Sequence, residues 1–100
     1  MTFLETPPKL TERGFLAQVR AAAKVLGWAT YHVHDSRHSE AGFPDLVLTR
    51  RPRVIFAELK ADRGKVTPQQ RAWMDELRAC GQEVYLWRPR YWPAIEKLLR

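Results

Sequence analysis

Apolar residues recur at three- and four-residue steps near the start of the chain, at Phe15, Val19, Ala22, Ala23 and Leu26. This spacing places them on one face of a helix and predicts an amphipathic first helix. Thr11 can cap its start, and Gly27 ends it.

Three strands are predicted next. Residues 28–33 form a short strand, and a polar loop over residues 34–44 follows it. Residues 45–49 and 54–60 read as two strands joined by the basic link of residues 50–53, a spacing that predicts a hairpin.

The last strand of this hairpin has apolar side chains on both faces. Val54 and Phe56 point one way, whereas Ile55, Ala57 and Leu59 point the other. The pattern predicts a strand covered on both sides.

A second helix has a clear start signal, with a capping hydroxyl at Thr67, proline at the first helical position and Gln70 three residues after the cap. Its apolar face holds Trp73, Leu77 and Cys80, so Cys80 is expected to be buried as a small apolar group.

Gly81 ends this helix, residues 83–87 form a fourth strand, and residues 93–99 form a terminal helix. The order αβββαβα predicts an α/β fold, a mixed four-stranded sheet flanked by helices. We expect residues 1–10 to be a loose leader and residues 11–100 to be one domain.

Charge and composition narrow the classes of function. The chain of 100 residues has 17 Lys and Arg against 11 Asp and Glu, a formal charge of +6, which attracts polyanions such as nucleic acid. One cysteine excludes an internal disulfide framework and a Cys-rich zinc site. No signal-peptide or membrane-spanning stretch is seen, so a soluble, cytoplasmic protein is expected, with no membrane partner.

Polar groups interrupt the apolar strand at Glu58 and Lys60. Residues two apart in a strand project to the same face, and the predicted hairpin brings Asp45 beside Glu58. Two carboxylates at such spacing suit a hard cation such as Mg²⁺ or Mn²⁺. The alternative is a simple ion pair between Glu58 and Lys60, with Asp45 as a turn residue.

The segments GFPDLVL and VIFAELK, followed by TPQQRAWMDELRACGQEVYLWRP, resemble the VRR-NUC family, a branch of the PD-(D/E)XK nuclease superfamily. The resemblance implies a restriction-endonuclease-like core. It also implies that Asp45, Glu58 and the backbone carbonyl of Leu59 hold the metal, and that Lys60 is catalytic.

Two further site residues are implied by the resemblance. Glu12 is the best candidate for an acid on the first helix, although an acid there also favours the helix dipole. Gln70 aligns with a family glutamine, although a capping box with Thr67 explains it equally well.

Several basic residues are candidates for phosphate contacts, namely Arg37, His38, Arg50, Arg51, Arg53, Arg63 and Lys65. Ordinary solubilising charges are the alternative for the residues at the hairpin turn. A transition-metal site formed by His32, His34 and His38 is a further alternative. The aromatic residues Trp87, Tyr91 and Trp92 suit either base stacking or packing.

The favoured function is a Mg- or Mn-dependent deoxyribonuclease. The resemblance implies a homodimer that acts on branched DNA such as four-way junctions. The alternatives are a non-catalytic, basic nucleic-acid-binding module and a domain active only inside a larger complex.

Overall fold

A computed structural model of the chain describes residues 10–33 and 40–100. Its helices and strands are α1 (Glu12–Val25), β1 (Ala29–His32), β2 (Leu46–Arg50), β3 (Arg53–Leu59), α2 (Pro68–Ala79), β4 (Glu83–Trp87) and α3 (Trp92–Leu99), with a short 3₁₀ turn at Pro89–Tyr91. This confirms the predicted order. The N-terminal leader, apart from Leu10, and the loop residues Arg37 and His38 lie outside the described residues.

The four strands form one sheet in the order β1-β2-β3-β4. The β1–β2 and β2–β3 pairs are antiparallel, whereas β3 and β4 are parallel. A parallel pair needs a crossover connection, and α2 provides it. The predicted mixed sheet and the predicted hairpin are therefore both confirmed.

The main core lies where α1 and α3 pack on the sheet. Phe15, Val19 and Ala23 of α1 are completely buried, together with Ile55 and Ala57 of β3. The Thr11 hydroxyl accepts a hydrogen bond from Gly14 N at 3.0 Å, so the predicted cap is present. Gly27 follows the helix with a φ of +88°, a conformation that glycine adopts readily.

The second helix begins as its sequence predicts. Gln70 N donates to the Thr67 hydroxyl, and Thr67 N donates to Gln70 Oε1, which completes a capping box. Met74 is the buried residue of this helix. Within the part of the chain described, no helix is long and apolar enough to cross a membrane.

Two sequence-based expectations about burial are wrong. Val54 is 39% exposed because it lies next to the hairpin turn, so β3 is covered on both faces only towards its end. Cys80 is exposed rather than buried, since it lies at the C-terminal cap of α2 and not on its packed face.

The turn end of the β2–β3 hairpin is hydrogen-bonded to the C-terminal ends of α1 and α3. The Arg50 guanidinium donates to Leu26 O at 2.9 Å and to Leu99 O at 3.0 Å. It lies 4.5 Å from the ring centre of Trp28, whose indole N–H donates to Leu99 O at 2.7 Å. These contacts join α1, the hairpin and α3, and we call them the Trp28–Arg50 anchor.

Candidate active site

Asp45 and Glu58 lie side by side at the end of the hairpin away from its turn. Leu46 pairs with Ala57, so Asp45 is placed opposite Glu58. The Asp45 carboxylate accepts a hydrogen bond from Leu59 N at 2.9 Å, and the Asp45 carbonyl accepts one from Val33 N at 3.1 Å. The structure therefore brings together the two carboxylates that the hairpin was predicted to join.

A close approach of two backbone segments fixes the loop that leads into Asp45. Gly42 has a φ of +96°, and a Cβ atom there would lie 2.5 Å from the carbonyl carbon of Gln69. Only glycine allows this contact with the start of α2. Phe43 then packs edge-on against Phe56 and Trp73, and Pro44 is fully buried. Asp45 thus follows a rigidly packed segment.

The Glu58 side chain is buried with little compensation for its charge. It is only 1% exposed, and both of its carboxylate oxygens lack a hydrogen-bond partner among the described residues. The Lys60 ammonium is 3.9 Å from Glu58 Oε2, at the outer limit of an ion pair. Burial, followed by the negative charge of Asp45, raises the pKa of Glu58 to about 9, although Lys60 opposes this rise.

Glu12 belongs to the same group of charges. Burial and the charge of Asp45 raise its pKa, whereas Lys60 lowers it. Glu12 and Asp45 line a cleft of about 420 Å³ between α1 and the sheet, together with Arg13, Arg20 and His32. Glu12 also lies in the first turn of α1, so its helix-dipole role and its place in the cleft are compatible.

The Lys60 ammonium lies 3.9 Å from Glu58, too far to hydrogen-bond its buried carboxylate oxygens. A buried carboxylate with orphaned oxygens beside a second carboxylate is costly unless a cation neutralises it. Within residues 10–33 and 40–100, no three His, Cys, Asp or Glu side chains converge in metal-binding geometry. A hard cation would therefore take Asp45 and Glu58 as its side-chain ligands and complete its shell with a backbone carbonyl and water, as Mg²⁺ usually does. The residues present fit such an ion.

The hydrogen bonds of Gln70 are those of the capping box with Thr67. Its side-chain oxygen is used by Thr67 N in the capping box. Helix capping, the predicted alternative to a role in the site, therefore accounts for the observed contact of Gln70.

The arginines of the hairpin turn, which are candidates for phosphate contacts from the sequence, lie at the end of the hairpin away from Asp45 and Glu58. Arg50 pairs with Arg53 at the turn, five residues from Asp45 along β2, or roughly 17 Å. Arg50 is engaged in the Trp28–Arg50 anchor, and Arg53 forms an ion pair with Glu83. Arg51 is exposed at the same turn. Arg63 and Lys65, by contrast, are exposed on the loop directly after Lys60.

The aromatic residues near the last strand mostly pack. Trp87 is buried and stacks on Tyr85 at 5.7 Å between ring centres, and Trp92 packs against the core. Tyr91 is the exposed member of this group, under the Arg90 guanidinium. His32 lines the cleft, whereas His34 and His38, the rest of the histidine alternative, lie outside the described residues.

Arg88 is a site-proximal residue that the sequence did not single out. Its guanidinium donates to three backbone carbonyls in the loop after Lys60, those of Ala61, Asp62 and Gly64. An arginine after a strand has no sequence signature that separates it from a solvating charge, so only the fold discloses this contact.

The family model of the VRR-NUC domain matches residues 6–90, a range that includes Asp45, Glu58 and Lys60. The chain belongs to the VRR-NUC family. It is therefore a member of a nuclease family, and the fold class predicted from its sequence is confirmed.

Known VRR-NUC structures and relatives agree with this assignment. A solved structure described as a VRR-NUC domain is 22% identical, with a TM-score of 0.71, and the match covers 90% of this chain and 96% of that one. A second VRR-NUC domain protein has a TM-score of 0.68 at 21% identity, covering 81% of this chain and 79% of the other. Both show the fold.

Two named nucleases are also similar. Hjc of Archaeoglobus fulgidus, a Holliday junction resolvase, is 25% identical with a TM-score of 0.50, over 79% of this chain and 66% of that one. Fanconi-associated nuclease 1 of Danio rerio is 36% identical over 52 residues, which is 50% of this chain. The chain spans only 5% of the length of that relative.

Proposed function

We propose that this VRR-NUC domain is a metal-dependent nuclease that hydrolyses DNA phosphodiester bonds, with selectivity for branched DNA. The observation that carries the proposal is the buried Glu58 carboxylate, whose oxygens have no hydrogen-bond partner among the described residues, with Asp45 opposite it and Lys60 at 3.9 Å. A nucleic-acid-binding module has no use for buried acids in a basic protein, whereas a nuclease that binds a cation requires them.

Each residue of the site has a separate task in this proposal. Asp45, Glu58 and the backbone carbonyl of Leu59 would hold Mg²⁺ or Mn²⁺. When bound, such an ion lowers the pKa of water and neutralises charge on the phosphate. Lys60 orients the attacking water or stabilises the phosphate as its charge builds. Glu12 adds negative charge at the mouth of the site, and Leu59 N holds the Asp45 carboxylate in place.

The proposed substrate rests on charge and on similarity. Arg63 and Lys65 lie on the loop after Lys60 and would contact phosphates without reading bases. The similarity to Hjc, a Holliday junction resolvase, supports four-way junctions as the first substrate to test. Binding that depends on phosphate contacts should weaken with salt.

The decisive experiment compares single-stranded, duplex, flap and four-way DNA with Mg²⁺, Mn²⁺ or chelator. We expect divalent-dependent cleavage, fastest on branched substrates, and a loss of at least about a hundredfold in Asp45→Asn because metal-assisted chemistry is removed. Asparagine can still accept the hydrogen bond from Leu59 N, so the local backbone should be retained.

Asp75→Asn is the matched control for this substitution, since Asp75 is an exposed aspartate on α2 whose side chain pairs with Arg78. It should cleave at the wild-type rate. DNA binding without cleavage under every metal condition would instead favour a non-catalytic module, or a domain that needs a larger complex.

We also propose that the protein acts as a homodimer, since a two-fold pair presents two active sites to the two strands of a junction. Light scattering should give about twice the mass of the 11.7 kDa chain. A monomer at all concentrations that support junction cleavage would contradict paired cutting by one particle.

A further inference from the structure

Arg88 holds the loop that follows Lys60. Its Nη1 atom lies 2.8 Å from Ala61 O, 3.3 Å from Asp62 O and 2.7 Å from Gly64 O. From the same end of β4, Arg90 N donates to the Asp62 carboxylate at 3.0 Å. Residues 61–64, which we call the post-strand loop, are therefore tied to β4 through both their backbone and a side chain.

Lys60 lies between the end of β3 and this loop. Lys60 N donates to Trp87 O at 3.0 Å, which continues the β3–β4 pairing past the end of β3. The loop then folds back, with Gly64 N donating to Ala61 O at 2.9 Å. A Cβ atom added at Gly64 would lie 3.4 Å from Lys60 Cδ, so the returning loop runs against the lysine stem. The place of the Lys60 ammonium thus depends on the shape of the post-strand loop.

The loop also presents the nearest exposed cations. Arg63 lies within it and Lys65 directly follows it, and both side chains are exposed. Arg88 itself is half-buried and directed at backbone carbonyls rather than at solvent. One guanidinium therefore fixes the backbone that carries Lys60 on one side and Arg63 and Lys65 on the other.

We propose that Arg88 is a positioning residue, which sets the Lys60 ammonium against Glu58 by fixing the post-strand loop that packs on the lysine stem. The proposal rests on the nuclease function proposed above. All three carbonyls are contacted by Nη1, at the far end of the arginine side chain. A lysine side chain is one bond shorter and its ammonium sits on a flexible stem, so lysine at position 88 would keep the charge but not the three-carbonyl contact.

The test compares Arg88→Lys with Arg78→Lys. Arg78 is a matched control because its guanidinium also donates to a backbone carbonyl, that of Val84, but far from Lys60 on α2. Single-turnover cleavage rate at saturating enzyme, DNA affinity without divalent ions and amide hydrogen exchange at residues 60–64 are measured for each. Arg88→Ala, which also removes the charge, is measured in the same way.

We expect Arg88→Lys to cleave at least about tenfold more slowly, since small misplacements of a catalytic group lower rates steeply. Its DNA affinity should change by less than about threefold because the charge is retained. The amides of Lys60 and Gly64 should exchange faster, whereas the exchange in α2 stays at the wild-type level. Arg78→Lys should show none of these effects.

Two results would overturn the positioning role. One is a wild-type cleavage rate in Arg88→Lys, and the other is unchanged exchange at Lys60 and Gly64 in both Arg88 variants. If the wild-type protein cleaves no DNA, the nuclease proposal fails instead. In that case, amide hydrogen exchange that is faster only at residues 60–64 in the Arg88 variants would still support the contact of Arg88 with the loop. Unchanged exchange would refute it.

Discussion

Replacement of Lys60 by alanine should lower the single-turnover rate of DNA cleavage by about a hundredfold or more, while DNA affinity stays close to wild type. The Lys60 ammonium is almost buried, 3.9 Å from Glu58, so it contributes little to the general attraction of DNA. Its proposed effect is on charge that develops only in the transition state, and loss of such a group lowers the rate rather than the binding.

The control is Lys97→Ala, which removes the same charge from an exposed position on α3. Single-turnover rates, DNA affinity and the thermal midpoint are measured for both variants. A wild-type cleavage rate with a lowered midpoint in Lys60→Ala would mean that Lys60 serves only as the ion-pair partner of Glu58.

The second large effect concerns stability in the absence of metal. Glu58→Gln should make the chelated protein more stable above pH 5, by a few kcal/mol near neutral pH given the size of the pKa shift. Burial, and then the charge of Asp45, raises the pKa of Glu58 from its ordinary value of 4.5 to about 9 in the fold. Between these values the folded protein binds more protons than the unfolded chain, so wild-type stability falls as pH rises.

Glutamine removes this pH dependence at position 58, so the wild-type and variant stability curves should diverge from pH 5 to pH 9. Denaturant unfolding in chelator at several pH values measures the divergence, with Glu76→Gln on the exposed face of α2 as the control. Added Mg²⁺ or Mn²⁺ should raise the midpoint of the wild type much more than that of Glu58→Gln, because a ligand stabilises the state that binds it. If the stability of wild type and of Glu58→Gln changed in parallel with pH, the charged form of Glu58 would not be destabilised in the fold, and the prediction would be wrong.

Local signals made most of the fold predictable. Thr11 and Thr67 accept hydrogen bonds from residues three positions away, so both helix caps can be predicted from residues that are close in sequence. The same holds for the hairpin, in which a short turn fixes the register that brings Asp45 to Glu58. The candidate site was predictable because it is built on that register.

Contacts between distant parts of the chain account for the failures. Arg50 is as basic as Arg63 in the sequence, but its partner carbonyl at Leu99 is 49 residues away. Arg88 reaches back 24 to 27 residues to the post-strand loop. No periodicity or motif encodes such partners, so the role of each arginine emerges only when the strands and helices are assembled.

The β2–β3 hairpin has different tasks at its two ends. The turn end carries the Trp28–Arg50 anchor, whereas the opposite end carries Asp45 and the buried Glu58. Because the anchor lies at the end of the hairpin away from the acids, replacement of the acids should leave the anchor intact. Under the proposed function, a descendant that lacked Asp45 and Glu58 would persist as a folded pseudoenzyme, relieved of the cost of burying Glu58 and free to acquire a purely binding role.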